Sequence, residues 1–130
     1  MLSNSSMRTP LGRVRGLGSA RSGTGHFWLQ RLTGVSNALL TLVFLGVVIS
    51  LSGKTYLEAV ATLGNPLVAI LMLLFTVSAA VHMRIGLQVV IEDYVHHEGL
   101  KVLAVIGNTF FAVAVGGASA FAILKLAFGG

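Results

Sequence analysis

Three long apolar stretches, Leu32 to Leu51, Pro66 to Ile91 and Val102 to Phe128, limit this chain more than anything else in it. Each reaches the ~20 residues that a helix needs to cross ~30 Å of hydrocarbon. Backbone N–H and C=O groups cannot be left unpaired in lipid, so the segments are expected to be helices rather than open strands. Runs of this length rarely suit a soluble fold of 130 residues. The expected fold is an all-α membrane protein with three transmembrane helices in one domain, residues 32–130. A basic tail and interfacial segment, residues 1–31, precede it. Composition agrees: mean hydropathy is +0.87 and only 10% of residues are charged, against ~25% in ordinary soluble domains.

The net charge of +5 does not point to nucleic acid. Arg8, Arg13, Arg15, Arg21 and Arg31 all precede the first span, and no acid occurs before Glu58. The positive-inside rule places such a tail in the cytoplasm, against the membrane lipid. The hydrophilic loop from Ser52 to Asn65 then lies outside, the loop from Glu92 to Lys101 returns to the cytoplasm, and the C-terminus ends outside. The first twenty-five residues have no apolar core and are not a secretory signal. Arginine and serine without acids resemble a mitochondrial presequence. Gly12, Gly16, Gly18, Gly23 and Gly25 would spoil its helix, however, which favours a flexible tail in a bacterium. Bacterial inner membrane is therefore the expected location, with the mitochondrial inner membrane as the alternative and Met7 as an alternative start. Cysteine is absent, which excludes disulfides and thiolate metal sites.

Within the spans, polar residues mark the faces that meet protein. Thr33, Ser36, Asn37 and Thr41 line the opening turns of span one, and Phe27 and Trp28 suit the headgroup layer just before it. In span three, Ala112, Gly116 and Ala120 form one smooth strip for close helix contact. Lys125 near its far end is expected to snorkel.

Span two carries the chemistry. At ~100° per residue, Ser78, His82, Gly86, Val89 and Asp93 fall within about 40° of one line, with His82 and Asp93 ~16 Å apart along the axis. Arg84 and Gln88 lie on the other side, and two polar faces suggest partner subunits around this helix. An intramembrane histidine is a functional hypothesis by default. One reading of His82 is an interhelical hydrogen bond. The other is a haem iron ligand, with Gly86 one turn away leaving room for a flat macrocycle. His26, His96 and His97 lie at or beyond span ends. A second axial histidine would therefore have to come from another chain.

Asp93 and Tyr94 sit where span two meets the cytoplasmic interface. Tyr94 fits the ordinary aromatic belt; it also fits a phenol donor that binds a quinone carbonyl beside a carboxylate. At a helix C-terminus, Asp93 faces an unfavourable dipole and is expected to have a cationic partner. His96, His97 and Glu98 read as a solvated loop rather than a metal site. For Arg84, snorkelling, a lipid contact and a propionate contact all stay open.

These residues carry a resemblance. "HMRIGLQVVIEDYV" resembles the span-two signature His-x3-Gly-x6-Asp-Tyr of the D-type hydrophobic membrane anchors of succinate dehydrogenase, filled by His82, Gly86, Asp93 and Tyr94. "GHFWLQRLTG" resembles the family's segment before span one. The "SPH" opening and the arginine–histidine pair of the sister C-type anchor are missing. The resemblance implies a non-catalytic subunit of succinate:ubiquinone oxidoreductase, part of a larger helix bundle with a C-type anchor. His82 would be one axial ligand of a haem b whose other histidine the C-type anchor supplies, and Arg31 would lie near the haem propionates. Tyr94 would donate to a ubiquinone carbonyl, with Asp93 supporting it through an arginine of the C-type anchor. An iron–sulfur subunit and a flavoprotein subunit would dock on the cytoplasmic face. Two further readings compete with this one: a haem-free structural anchor, and a small proton-coupled transporter using His82 or Arg84. Against the transporter, no carboxylate lies inside a span.

Overall fold

The structure, a computed structural model, describes residues 9–15 and 24–129. Arg8, Arg21 and the glycines at 16, 18 and 23, which the sequence places in the tail, lie outside the described residues. Among the described residues five helices follow in order: α1 (Pro10–Arg15), α2 (Thr24–Leu51), α3 (Tyr56–Leu63), α4 (Pro66–Tyr94) and α5 (Glu98–Ala127). Among the described residues there is no strand. α2, α4 and α5 are each long and apolar enough to cross a membrane. They contain 28, 29 and 30 residues, or about 42 to 45 Å at ~1.5 Å per residue.

The three long helices run up, down and up, with α4 central. It packs against α2 along one side and α5 along the other, while α3 touches α4 and α5 at the far end. The core between them is thin. Ala69, Met72, Ile85 and Ala112 are its buried apolar residues, whereas Leu32, Val35, Leu39 and Leu42 turn outward. In lipid that outward face costs nothing, because hydrocarbon solvates leucine as well as another helix does. Polar and small residues therefore decide which faces pair. Thr33 is buried, Ser36, Asn37 and Thr41 are half-buried, and all four belong to the inward side that the sequence suggests.

The small-residue strip of α5 behaves as expected over part of its length. Ala112 is buried, and a Cβ added at Gly116 would lie 3.1 Å from the Cβ of Ala80 on α4. Such a separation is tighter than ordinary carbon contact, so the two backbones approach closely here because neither residue has more to offer than a methyl group.

Four features differ from the sequence reading. The hydrophilic loop from Ser52 to Asn65 contains a helix, α3, which Thr55 and Glu58 start as a capping box. Glu58 Oε2 accepts from the Thr55 N–H and hydroxyl at 2.8 Å each, and the Thr55 hydroxyl accepts from the Glu58 N–H at 3.5 Å. The tail contains α1, where the Thr9 hydroxyl accepts from the Gly12 N–H at 3.0 Å. The helices also overrun the apolar stretches. α2 begins at Thr24, so the interfacial segment and the first span are one helix, and α4 runs to Tyr94 while α5 starts at Glu98. The connection between them shrinks to three residues, with His97 capping α5 through Nδ1, which accepts from the Leu100 N–H at 3.4 Å. Finally, α2 meets Ser78 and His82 and α5 meets Arg84, so much of both polar faces is answered within this chain, while Gln88 turns to the α2 side and Asp93 stays exposed.

Helix starts are otherwise set by familiar chemistry. Asn65 Oδ1 accepts from Leu67 and Val68 N–H at 3.0 and 3.4 Å, and Pro66 occupies the first helical position, where its missing N–H costs nothing. Gly53, at φ 78°, carries the chain out of α2 through the left-handed region that side chains avoid.

Two outcomes follow from this packing. Gly116→Leu should drive α4 and α5 apart and cost about 1–3 kcal/mol, as overpacking of a close contact does. A thermal transition of the detergent-solubilised protein at the parental temperature would refute the close approach. The second concerns Glu58, whose carboxyl is held below the ordinary 4.5 by the Thr55 N–H first, then by the Thr55 hydroxyl and by Lys54. A depressed folded value means that the cap is whole above the unfolded value and is lost as pH falls through the folded one. Amide exchange in the first turn of α3 should therefore accelerate on acidification below about 4.5. In Glu58→Ala, which removes the acceptor, it should be fast throughout and independent of pH in that range once the intrinsic exchange rate is divided out.

Candidate functional site

The site lies where the first turns of α2 meet the last turns of α4. On α2, His26, Gln30, Thr33 and Asn37 recur at helical spacing and form one polar stripe. On α4, Ser78, His82 and Gly86 face it. Thr33 is the crossing point. Its hydroxyl lies 3.2 Å from His82 Nδ1 and donates to the Leu29 carbonyl at 2.7 Å, while Ser78 donates to the Thr33 carbonyl at 3.4 Å. Two α4 side chains one turn apart thus straddle a single α2 residue. His82 is half-buried, and a Cβ built on Gly34 would rest 3.4 Å from its Cε1, an ordinary contact distance.

One turn from His82 toward the Tyr94 end, α2 and α4 part. They leave a cleft of about 500 Å³ lined by His26, Phe27, Gln30, Arg31, Ile85, Gly86, Gln88, Val89 and Glu92. Gly86 forms part of its wall, and a Cβ there would lie 3.4 Å from Gln30 Nε2. His82 does not line the cleft. Arg31 is exposed, with its guanidinium 5.1 Å from the centre of the Phe27 ring, a cation–π distance. Gln88 donates to Glu92 at 2.8 Å across one helical turn. Two buried acceptors on the α2 stripe, Gln30 Oε1 and Asn37 Oδ1, have no hydrogen-bond partner among the described residues. Buried polar atoms are normally satisfied, so the polar seam is open to a donor from elsewhere.

Asp93 and Tyr94 stand apart from this seam. Both are exposed, Tyr94 by 77%, in the last turn of α4, and neither lines a cavity described here. Among the described residues Asp93 makes no ion pair, and the expected cation is not found among them. The structure therefore brings Arg31 and Gly86 to one cleft, and His82 one turn beyond it, but does not bring the Asp93–Tyr94 pair into contact with them. Arg84 faces α5 instead. Its Nε donates to Thr109 at 3.3 Å, and Asn108 donates to the Arg84 carbonyl at 2.8 Å. Among the described residues no group of three or more histidine, aspartate or glutamate side chains is placed to hold a metal ion.

Thr33 and Gln30 join the site only in the structure, although the sequence carries a signal for them. The available signal was the 26, 30, 33, 37 periodicity of polar residues on α2, which pairs naturally with Ser78, His82 and Gly86 on α4.

The chain is 32% identical over 121 residues to the succinate dehydrogenase hydrophobic membrane anchor subunit of Paracoccus denitrificans, covering 93% of each chain. It is 28% identical over 106 residues to the subunit of the same name from Rickettsia bellii, covering 82% of this chain and 85% of the relative. That of Rickettsia conorii is 29% identical over 104 residues, covering 78% and 81%. No solved structure matches the chain significantly. The family model of the succinate dehydrogenase/fumarate reductase transmembrane subunit matches residues 5–116, and with that match across three apolar helices the chain belongs to this family.

Proposed function

We propose that the chain is the D-type hydrophobic membrane anchor of a bacterial succinate:ubiquinone oxidoreductase, contributing one haem b ligand and part of a ubiquinone site. It performs no catalysis alone. It docks a flavoprotein and an iron–sulfur subunit on the cytoplasmic membrane face, together with a C-type anchor. The single observation that carries the reading is His82, a half-buried imidazole inside a membrane-length helix, held at Nδ1 by a neighbouring helix.

The donor set fits a haem. With Nδ1 engaged by Thr33, Nε2 is the nitrogen left for iron. Gly86, one turn from His82, adds no side chain beside it, and Arg31 on the neighbouring cleft supplies a cation that could meet carboxylate groups. When bound, haem b supplies a one-electron centre in the membrane. His82 would hold and orient the iron, and the second histidine would come from the C-type anchor, since among the described residues no other histidine lies at that depth.

Asp93 and Tyr94 fit the quinone role through position and chemistry. They sit at the same end of the bundle as the arginine-bearing start of α2, which the charge pattern assigns to the cytoplasm. A phenol there can donate to a quinone carbonyl as charge develops on that oxygen, and a carboxylate beside it can anchor a partner's guanidinium. The exposure of both side chains suits a surface on which another subunit closes and from which it expels water.

Two measurements test these roles. A complex purified through a tag on this chain should carry the flavoprotein and iron–sulfur subunits. In His82→Ala it should lose low-spin haem while oxidising succinate with a soluble dye. Unchanged low-spin absorbance would assign the ligand to another residue. Tyr94→Phe keeps the ring but removes one hydrogen bond to a charge-developing oxygen, a loss of about 1–3 kcal/mol in a dry site. Quinone reduction should fall roughly ten- to a hundred-fold at ~1.4 kcal/mol per decade, with haem content and dye-linked oxidation unchanged. A parental quinone rate would return Tyr94 to the aromatic belt.

A further inference from the structure

The contact between Thr33 and His82 has a direction. A threonine hydroxyl owns one proton and two lone pairs. Thr33 Oγ1 lies 2.7 Å from the Leu29 carbonyl oxygen, 3.3 Å from that of Gln30 and 3.2 Å from His82 Nδ1. The carbonyls can only accept, and the shortest contact, to Leu29, holds the proton. Two bare lone pairs facing each other at Oγ1 and Nδ1 would repel, so the proton in that contact belongs to the imidazole. We infer that Thr33 is a positioning residue that fixes His82 as the Nδ1–H tautomer, with Nε2 unprotonated and free to bind iron. The inference rests on the reading of His82 as a haem ligand and names a residue through which the chain sets that ligand's orientation and donor strength.

The surroundings make the arrangement hold. Thr33 is buried, so the acceptor oxygen is shielded from water. Its β-branched side chain is restricted at χ1 in a helix, and the bond to Leu29 selects the rotamer that faces α4. Ser78 ties the Thr33 carbonyl to α4 one turn away, so the register between the helices is pinned on both sides of the crossing. Rotation of the imidazole about χ2 would break its hydrogen bond to Oγ1 and leave a buried N–H unpaired. By accepting a hydrogen bond from Nδ1–H, the hydroxyl raises the basicity of Nε2, which would make it a stronger ligand and would favour the oxidised state of a bound haem.

The test uses the assembled complex with four variants. Thr33→Val keeps shape and burial but removes the acceptor. Thr33→Ala removes the acceptor by deleting atoms only, and reads the same quantities where the valine disturbs assembly. Thr33→Ser restores the hydroxyl, and His82→Ala reports on the ligand itself. Flavin retained per copy of this chain, after purification through a tag on it, confirms assembly in each. Haem affinity, read from haem retained per flavin during dilution, should fall about ten- to a hundred-fold in Thr33→Val and Thr33→Ala. The haem midpoint potential should move to more positive values in both, and Thr33→Ser should return affinity and potential to the parental values. A purely structural role for Thr33 would not move the potential of the haem that remains. If His82→Ala loses low-spin haem while both hydroxyl-free variants keep parental affinity and potential, the Thr33 inference is overturned and the ligand assignment stands. If His82→Ala keeps low-spin haem, both are overturned.

Discussion

Hydrocarbon offers no hydrogen bonds, and the polar seam between α2 and α4 is the consequence on which the rest of this structure depends. A histidine, a serine and a threonine within membrane-length helices have to find partners inside the bundle or remain unpaired in lipid. Here they find each other: Thr33 with His82 through side chains, and Ser78 with the Thr33 carbonyl. Apolar residues contribute little to this choice, since a leucine facing lipid is as well solvated as one facing another helix. The pairing of α2 with α4 is thereby chemical first and steric second.

The other side of α4 is organised differently. Arg84 and Asn108 exchange contacts with the opposing helix near the same depth as His82, and Gly116 then allows close approach to Ala80 farther along. The guanidinium, with a threonine acceptor and a nearby carbonyl held by asparagine, is housed by α5 and does not open onto the α2 side. This division lets α4 present an imidazole to one neighbour and a cation to the other without the two meeting. A proposed haem ligand and an intramembrane arginine two residues away thus occupy separate surroundings.

The Tyr94 end of the bundle carries a second kind of information. Arg31, Gln30, Glu92 and Gly86 converge on a cleft, while Asp93 and Tyr94 point to the exterior. Unpartnered buried acceptors at Gln30 and Asn37 line the same seam. A chain that belongs to a family of transmembrane subunits of a multisubunit enzyme is suited to leave such groups for others to meet. The proposed haem and quinone roles use the two regions separately, His82 within the seam and Tyr94 on the exposed end.

The sequence by itself determined that three segments are helices of membrane length, because their apolar character and the cost of bare backbone in lipid leave no other choice. It also pointed to His82, Gly86 and Asp93, which share one helical face by the 3.6-residue period, whereas Tyr94 entered through its interfacial place and the family resemblance. It did not place the partners of those residues. That Thr33 rather than Ser36 or Asn37 meets His82 depends on the register between α2 and α4. A shift of one residue would turn each helix face by ~100° without altering any local preference. Nor did periodicity disclose that Arg84 is answered by α5, because the partner of a polar face is a property of packing. The capping box at Thr55 and Glu58 was present in the sequence, but only its geometry decides that a short amphipathic stretch folds back as a helix. Tertiary structure decided which polar groups meet, for the physical reason that hydrogen bonds form between specific atoms a few ångströms apart, and helical periodicity fixes angle without fixing neighbour.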